Sequence, residues 1–492
     1  MPDRFDPQKL LDRYTAAKAR RAVWEQHWED CYDHALPQSG GFGRGAPGER
    51  KADRLFDGTA ADAVEQLAAS LLAQLTPPWS RWFGLAPGPD LSDAERDAIA
   101  PVLERAGAIL QSHFDRSNFA VEMHQCYLDL ITAGTACLLF EESAPGDLSG
   151  FRFAAVPLAE AVLEEGADGR LDGTFRRSEM TQAQIALRFP DADLPDELRR
   201  AAEQNPQTRF AVVEAVLPDG PGFRYAVILD AGPTPTAPLA EGRFARSPFI
   251  NFRWLKAPGE TYGRSPVMKT LPDIKTVNKV VELVLKNASI AVTGIWQADD
   301  DGVLNPAAIR LVPGTIIPKA VGSAGLTPLA NPGRFDVSQL VLDDLRRRIR
   351  HALLVDRLGP VTDARMTATE VMERSAEMAR LLGATYGRLQ SELLTPLVLR
   401  AVAILRRRGE IPDLAVDGRL IELQYRSPLA QAQAQRDVQA TLRWLDVAAG
   451  LGPEGAATID VAAAARWLAR SFGVPGELIR TVPPPAVAAE IS

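Results

Sequence analysis

The chain has 492 residues and a formal net charge of −8: too long for one typical core, apolar enough to build several, and too acidic for a protein whose main task is to grip phosphates. No run of about 18 apolar residues offers a membrane span. The charged start MPDRFDPQKLLDRY has no signal-peptide core, and the three cysteines fit reduced thiols, so a cytosol-like compartment is expected.

The first element is a helix over residues 8–36, with Leu11, Tyr14, Ala17, Arg21, Trp24, Trp28, Cys31 and Ala35 on one side. A glycine-rich break follows, then a helix with Val64, Leu67, Leu71, Leu72 and Leu75 inward, closed by Pro77 and Pro78. Two further helices are expected over 92–115 and 117–134. From 136 to 260 the pattern changes to short β-rich runs with Gly/Asp turns, interrupted by one short helix near 181–189. Ser265–Pro266 then starts a helix with Ile274, Val277, Val281, Val284 and Ala288 in one stripe. Residues 291–335 are turn-rich. Asp336 caps a return helix packing Val337, Val341, Leu345, Ile349 and Leu353 inward. After the loop DRLGPVTDARM, Thr367 and Glu370 form a T-x-x-E capping box for a long helix, bent at Pro396, that ends on Arg406–Gly409. The remainder reads as two Ala-rich helices and a Pro/Ala tail with a disordered composition. The fold class is α+β, helix-rich: two helices flank a small β-like insertion, and the long helix acts as a strut.

The chemical motifs are weak. GRGAPG at 43–48 matches G-x-G-x-x-G but follows a helix rather than a strand, and no complete Walker A motif stands elsewhere. QADDDG at 297–302 has Ala308 where a calcium loop needs its bidentate glutamate. GRSPV at 263–267 lacks the last glycine of a nucleophile elbow. His27, Cys31 and His34 share one helix side and are zinc-type ligands, but they number three, with Trp24 and Trp28 beside them. No catalytic residue, cofactor or metal is therefore expected. A metal-dependent hydrolase stays open as the enzyme alternative, and a non-enzymatic structural protein, an adaptor or internal component of a larger assembly, as the other. The basic residues of the paired helices carry more interest: Lys275, Lys279 and Lys286 lie off the first stripe, and Arg346, Arg347, Arg348 and Arg350 follow Asp343 and Asp344 on the second. They fit either a solvated face with i,i+4 pairs or a sparse positive surface beside a polyanion.

Five stretches in order, from about residue 15 to 435, carry a resemblance: RRAVWEQHWEDCYDHALP, LFDGTAADAVEQLAASLLAQLTPPWSRWFGL, GETYGRSPVMKTLPDIKTVNKV, MTATEVMERSAEMARLLGATYGRLQSELLTPLVLRA and YRSPLAQAQ. The sequence resembles the head-to-tail connector (portal) proteins of podovirus-type tailed bacteriophages. The resemblance implies a portal-type fold forming a dodecameric ring with a central channel. It divides this chain into a wing (1–262, with the long helix and return at 367–427), stem helix 1 (263–290), a clip (291–335), stem helix 2 (336–355), a channel loop (356–366) and a crown with its tail (428–492). The chain is short for that family, the shortfall falling in the C-terminal region.

The implied partners are further copies of itself, double-stranded DNA in the channel, the terminase large subunit, the major capsid and scaffolding proteins, and tail adaptor proteins, with no membrane. The implied place is the virion's portal vertex, with assembly in the host cytoplasm. DNA contacts fall on Lys275, Lys279, Lys286, Arg346, Arg347, Arg350, Arg357 and Arg365, and motor or tail docking falls on Trp296, Asp299, Asp300 and Asp301.

Overall fold

The computed structural model describes residues 6–38, 54–78, 80–192, 194–230, 238–293, 296–297, 327–328, 335–355, 382–414, 416–425, 428–471 and 474. The chain opens with helix α1 (Pro7–Ala35), started by Asp6, whose side chain accepts from the Gln8 N–H. Its buried side is Leu10, Tyr14, Ala17, Arg21, Trp28, Cys31, Tyr32 and Ala35, the stripe expected from spacing except that Leu10 replaces Leu11, Tyr32 joins it and Trp24 is only partly buried. Helices α2 (Thr59–Leu75) and α4 (Phe119–Ala133) pack on it, and α3 (Asp93–Asp115) begins with a complete capping box between Ser92 and Glu95.

Strand β1 (Phe83–Pro87) lies between α2 and α3. The body continues with strands β2 (Thr135–Glu142), β3 (Phe151–Val156), β4 (Ala161–Glu164) and β5 (Gly173–Thr181), helices α5 (Gln182–Arg188) and α6 (Asp196–Gln204), then strands β6 (Arg209–Asp219), β7 (Gly222–Leu229), β8 (Ala240–Phe244) and β9 (Phe249–Arg253). They form a three-stranded sheet, β3-β2-β9, and a five-stranded antiparallel sheet, β4-β5-β6-β7-β8. Apolar side chains from β2 and β3 meet α3 and α4 in an aromatic core of Trp82, Phe83, Phe114, Phe119, Phe140, Phe151 and Phe153. Gly134, at φ +79, ends α4 in the left-handed conformation, and a Cβ there would collide with the Gly263 carbonyl.

Helix α7 (Pro266–Thr293) leaves this body, and α8 (Phe335–Ala352) returns beside it. The two-residue strands β10 (Trp296–Gln297) and β11 (Thr327–Pro328) pair antiparallel between them. The buried stripe of α8 is Leu342, Leu345 and Ile349, continued by Leu353 after the helix. Leu345, Ile349 and Leu353 are buried as expected, whereas Val341 is 44% exposed and its neighbour Leu342 takes the inner position against the face that α7 and α2 cover.

Residues 382–389 are helical and run into a π-turn, Gln390–Leu394, followed by helix α9 (Thr395–Arg407). The expected break at Pro396 takes this form. Pro396 has no N–H to give to the preceding turn, and the Thr395 hydroxyl instead bonds the Gln390 carbonyl at 2.9 Å. Strand β12 (Ile421–Tyr425) closes back on β1 in a two-stranded sheet. Helices α10 (Pro428–Gly450), α11 (Pro453–Ala456) and α12 (Val461–Ser471) complete the fold. The glycine loop at 43–48, the Thr367–Glu370 capping box and the Pro/Ala tail lie outside the described residues.

Candidate functional site

The α7–α8 hairpin holds most of the predicted site residues, and its base is built from polar ties. Ser265 accepts from the Met268 N–H at 2.8 Å and donates to the Thr132 carbonyl at 2.9 Å, fixing the start of α7 against α4. One turn past Ile274 and directly after Val277, both buried, Asn278 clasps the segment before α2. Its Oδ1 accepts from the Phe56 and Asp57 N–H groups at 2.6 and 3.1 Å, and its Nδ2 donates to the Arg54 carbonyl at 3.0 Å. Asp57 caps Thr59 and receives Arg346 from α8, through Nη2 at 2.7 Å and Nε at 2.9 Å. Burial works to raise the Asp57 carboxyl, but hydrogen bonds from Thr59 and Arg346 outweigh it and leave its pKa below the ordinary carboxylate range. Both hairpin helices are thus fastened to one short segment.

The other predicted cations divide by partner. Lys275 reaches Asp30 of α1 at 2.8 Å. Lys279 and Lys286 share Glu282, at 2.9 and 2.6 Å, and their hydrogen bonds, that of Lys286 first, lower the Glu282 carboxyl. Arg347 leans on Asp344 at 3.3 Å with 73% of its side chain exposed. Arg350 is exposed and has no carboxylate partner among the described residues. Arg357, Arg365 and Asp299–Asp301 lie outside the described residues. Trp296 stands on β10 opposite Pro328.

Sequence reasoning passed over two of the residues that line the hairpin's groove, Lys269 and His351. Lys269, Arg348 and His351 join Arg347 around a groove of about 540 Å³ between α7 and α8. Arg348 is held by Asp273 at 3.1 Å. The signal was the i,i+4 spacing from Arg347 to His351 on one helix face.

No group of three or more His, Cys, Asp or Glu among the described residues is placed to hold a metal ion. Cys31 is buried, and burial pushes its thiol up to about 12, so it is no ready thiolate. The Trp28 ring beside it packs edge-on to Tyr262 at 4.9 Å and gives its Nε1–H to the Ala133 carbonyl. That side of α1 is a packing seam.

Known proteins match this sequence along most of its length. The chain is 26% identical to a probable portal protein of Bordetella phage BPP-1 over 511 aligned residues, covering 97% of this chain and 90% of the relative. It is 24% identical to the portal protein of Salmonella phage epsilon15, covering 95% and 88%. Among solved structures, the neck of an empty gene transfer agent particle aligns with TM-score 0.38 at 16% identity, over 89% of this chain and 98% of that one. The model of the bacteriophage head to tail connecting proteins matches residues 7–479. The resemblance read from the five stretches holds across body, hairpin and C-terminal helices, and the chain belongs to the bacteriophage head to tail connecting protein family.

Proposed function

We propose that copies of this chain close into a dodecameric ring at one capsid vertex, where it serves as the portal through which double-stranded DNA is packaged, retained and ejected. The observation that carries the reading is the continuity of the family match from α1 through the α7–α8 hairpin to α12. In this reading residues 1–262 and 367–427 are the wing, α7 and α8 lie in stems 263–290 and 336–355, residues 291–335 form the clip, 356–366 the channel loop and 428–492 the crown. The role is structural rather than enzymatic. The terminase large subunit docks on the clip side at Trp296 and Asp299–Asp301 during filling and tail adaptors replace it afterwards. Major capsid and scaffolding proteins contact the periphery. The site of action is the virion vertex, reached from the host cytoplasm.

The local ion pairs refine the assignment of charge. Asp57 and Asp30 support a tethering role for Arg346 and Lys275. Lys279, Lys286, Arg347 and Arg350, with Arg357 and Arg365 from the loop, are left to meet phosphates, and ring symmetry repeats each as a circle of charge. The test has two parts. Native mass spectrometry with end-on negative-stain images should give a ring near the dodecameric count with a central hole. Arg347→Glu with Arg350→Glu should keep that ring and lower packaged-DNA yield by about tenfold, the size of a lost interaction of about 1.4 kcal/mol. An intact ring that packages at the normal yield would remove these residues from the channel.

A further inference from the structure

Beside edge strand β8 and helix α9 lies a cavity of about 740 Å³ that the channel reading leaves without a use. Leu139, Leu239, Phe244 and Phe249 supply apolar wall. Its inner acids are already matched: Arg188 holds Glu141 at 3.1 Å and Glu214 at 3.2 Å, and Arg407 and Arg408 hold Glu142. Arg400, which also lines it, is different. It is 6% exposed, and its guanidinium donates only to main-chain carbonyls, Nε to Phe140 and Nη1 to Arg246, each at 2.7 Å. The Phe140 and Phe244 rings lie 5.7 and 5.3 Å from it. Among the described residues no carboxylate pairs with it, and Nη2 makes no hydrogen bond.

Carbonyls satisfy N–H groups without cancelling charge. Burial lowers the Arg400 pKa to about 10, Arg407 adding repulsion and Glu141 and Glu142 opposing. A buried guanidinium with no counter-ion is costly, and a carboxylate is the group that completes it, by charge-assisted bonds.

We propose that this cavity receives a single carboxylate carried on an apolar body, the carboxylate bonding Arg400 Nη2 and the body lying on Phe244 and Phe249. Asp191 and Glu241, exposed and lining the same space, repel multiply charged anions, which turns the site from phosphate toward monocarboxylates. Such a group can be a free small molecule or an Asp or Glu side chain of a neighbouring copy, and the experiment separates the two.

Full-length protein is titrated calorimetrically with benzoate, benzamide and inorganic phosphate at matched ionic strength, and its copy number is read by native mass spectrometry with and without benzoate. Ala240→Trp, on β8 at the cavity wall, fills the space without touching the Arg400 bonds and controls for folding by circular dichroism; Arg400→Gln removes the charge. A free-carboxylate site predicts that benzoate binds at least tenfold more tightly than benzamide or phosphate, that both substitutions abolish this, and that copy number is unchanged. A neighbour-filled site predicts that Ala240→Trp, with native circular dichroism, and added benzoate each reduce assembled copies. The proposal is overturned if benzoate and benzamide bind alike, if phosphate binds as well as benzoate, or if benzoate fails to bind and Ala240→Trp assembles as the parent does.

Discussion

Removing the Glu392 carboxylate tests how the returning helix is fixed to the body. The Arg253 side chain is 0% exposed, and Glu392 on the π-turn receives its Nη2 at 2.7 Å, its Nε at 3.2 Å and its main-chain N–H at 3.0 Å. Nη1 and Nη2 also reach the Thr261 and Gly169 carbonyls at 3.0 and 2.8 Å. In Glu392→Ala the nearest remaining carboxylate is Glu165, at 3.8 Å from Nη1. Breaking a buried pair from one side costs about 3–5 kcal/mol, and the partial help from Glu165 sets the expectation near about 3 kcal/mol. Arg388, at 3.0 Å and partly exposed, adds only a few tenths. Arg253→Met with Glu392→Met removes both charges and should cost less than about 1.5 kcal/mol, because similar-sized apolar side chains replace a pair that desolvation makes expensive. Urea unfolding followed by tryptophan fluorescence gives the energies, and hydrogen exchange at 390–398 shows whether the loss is local. A single substitution costing under about 1 kcal/mol, or a double one as costly as the single, would refute the account.

Three further outcomes follow from the same geometry. Burial raises the Asp129 carboxyl to about 7, the Tyr32 hydrogen bond opposing; the folded state therefore holds the proton more tightly, and stability present below about pH 4 is lost as pH rises toward about 7, by at most on the order of 4 kcal/mol. Asp129→Asn should flatten that slope in melting temperatures taken from pH 5 to pH 8, and an unchanged slope would assign it elsewhere. Asp57→Ala strips Arg346 of its partner and should cost about 1–3 kcal/mol, with faster hydrogen exchange in α7 and α8 than in β5–β7; uniform exchange would argue against the clasp. Gly134→Ala combines φ +79 with the Gly263 carbonyl and should lower stability by about 2 kcal/mol or more, checked by the same urea titration.

What could be read in the sequence was what neighbouring residues decide. The helices expected over 8–36 and 92–115 fall within a residue or two of α1 and α3, because the helical period is local. Strands β1 and β12 escaped notice: each is short, and the pairing of Phe83 with Tyr425 is visible only once the chain has folded back. The short helix α6 escaped as well, for Asp196–Gln204 carries few apolar residues. The same limit governed the charges. Arg346 looks like its neighbours in the run Arg346–Arg347–Arg348, and the acid that claims it, Asp57, is 289 positions away.

Those pairings bear on how the proposed channel would treat DNA. Every phosphate that meets a free cation deepens binding, and with symmetric repetition the effect multiplies around a ring. On the α7–α8 hairpin most cations already have an acid: Glu282 for Lys279 and Lys286, Asp344 for Arg347, Asp273 for Arg348. Exposed pairs of this kind are weak, and in the proposed channel they could exchange for a passing phosphate and re-form when it leaves. In the proposed channel a phosphate would gain only the difference between the two partners, so the hairpin would offer positive charge while each individual hold stayed shallow. On that proposal the net acidity of the chain and its arginine-rich helix are one arrangement: the acids would keep the basic residues from becoming traps.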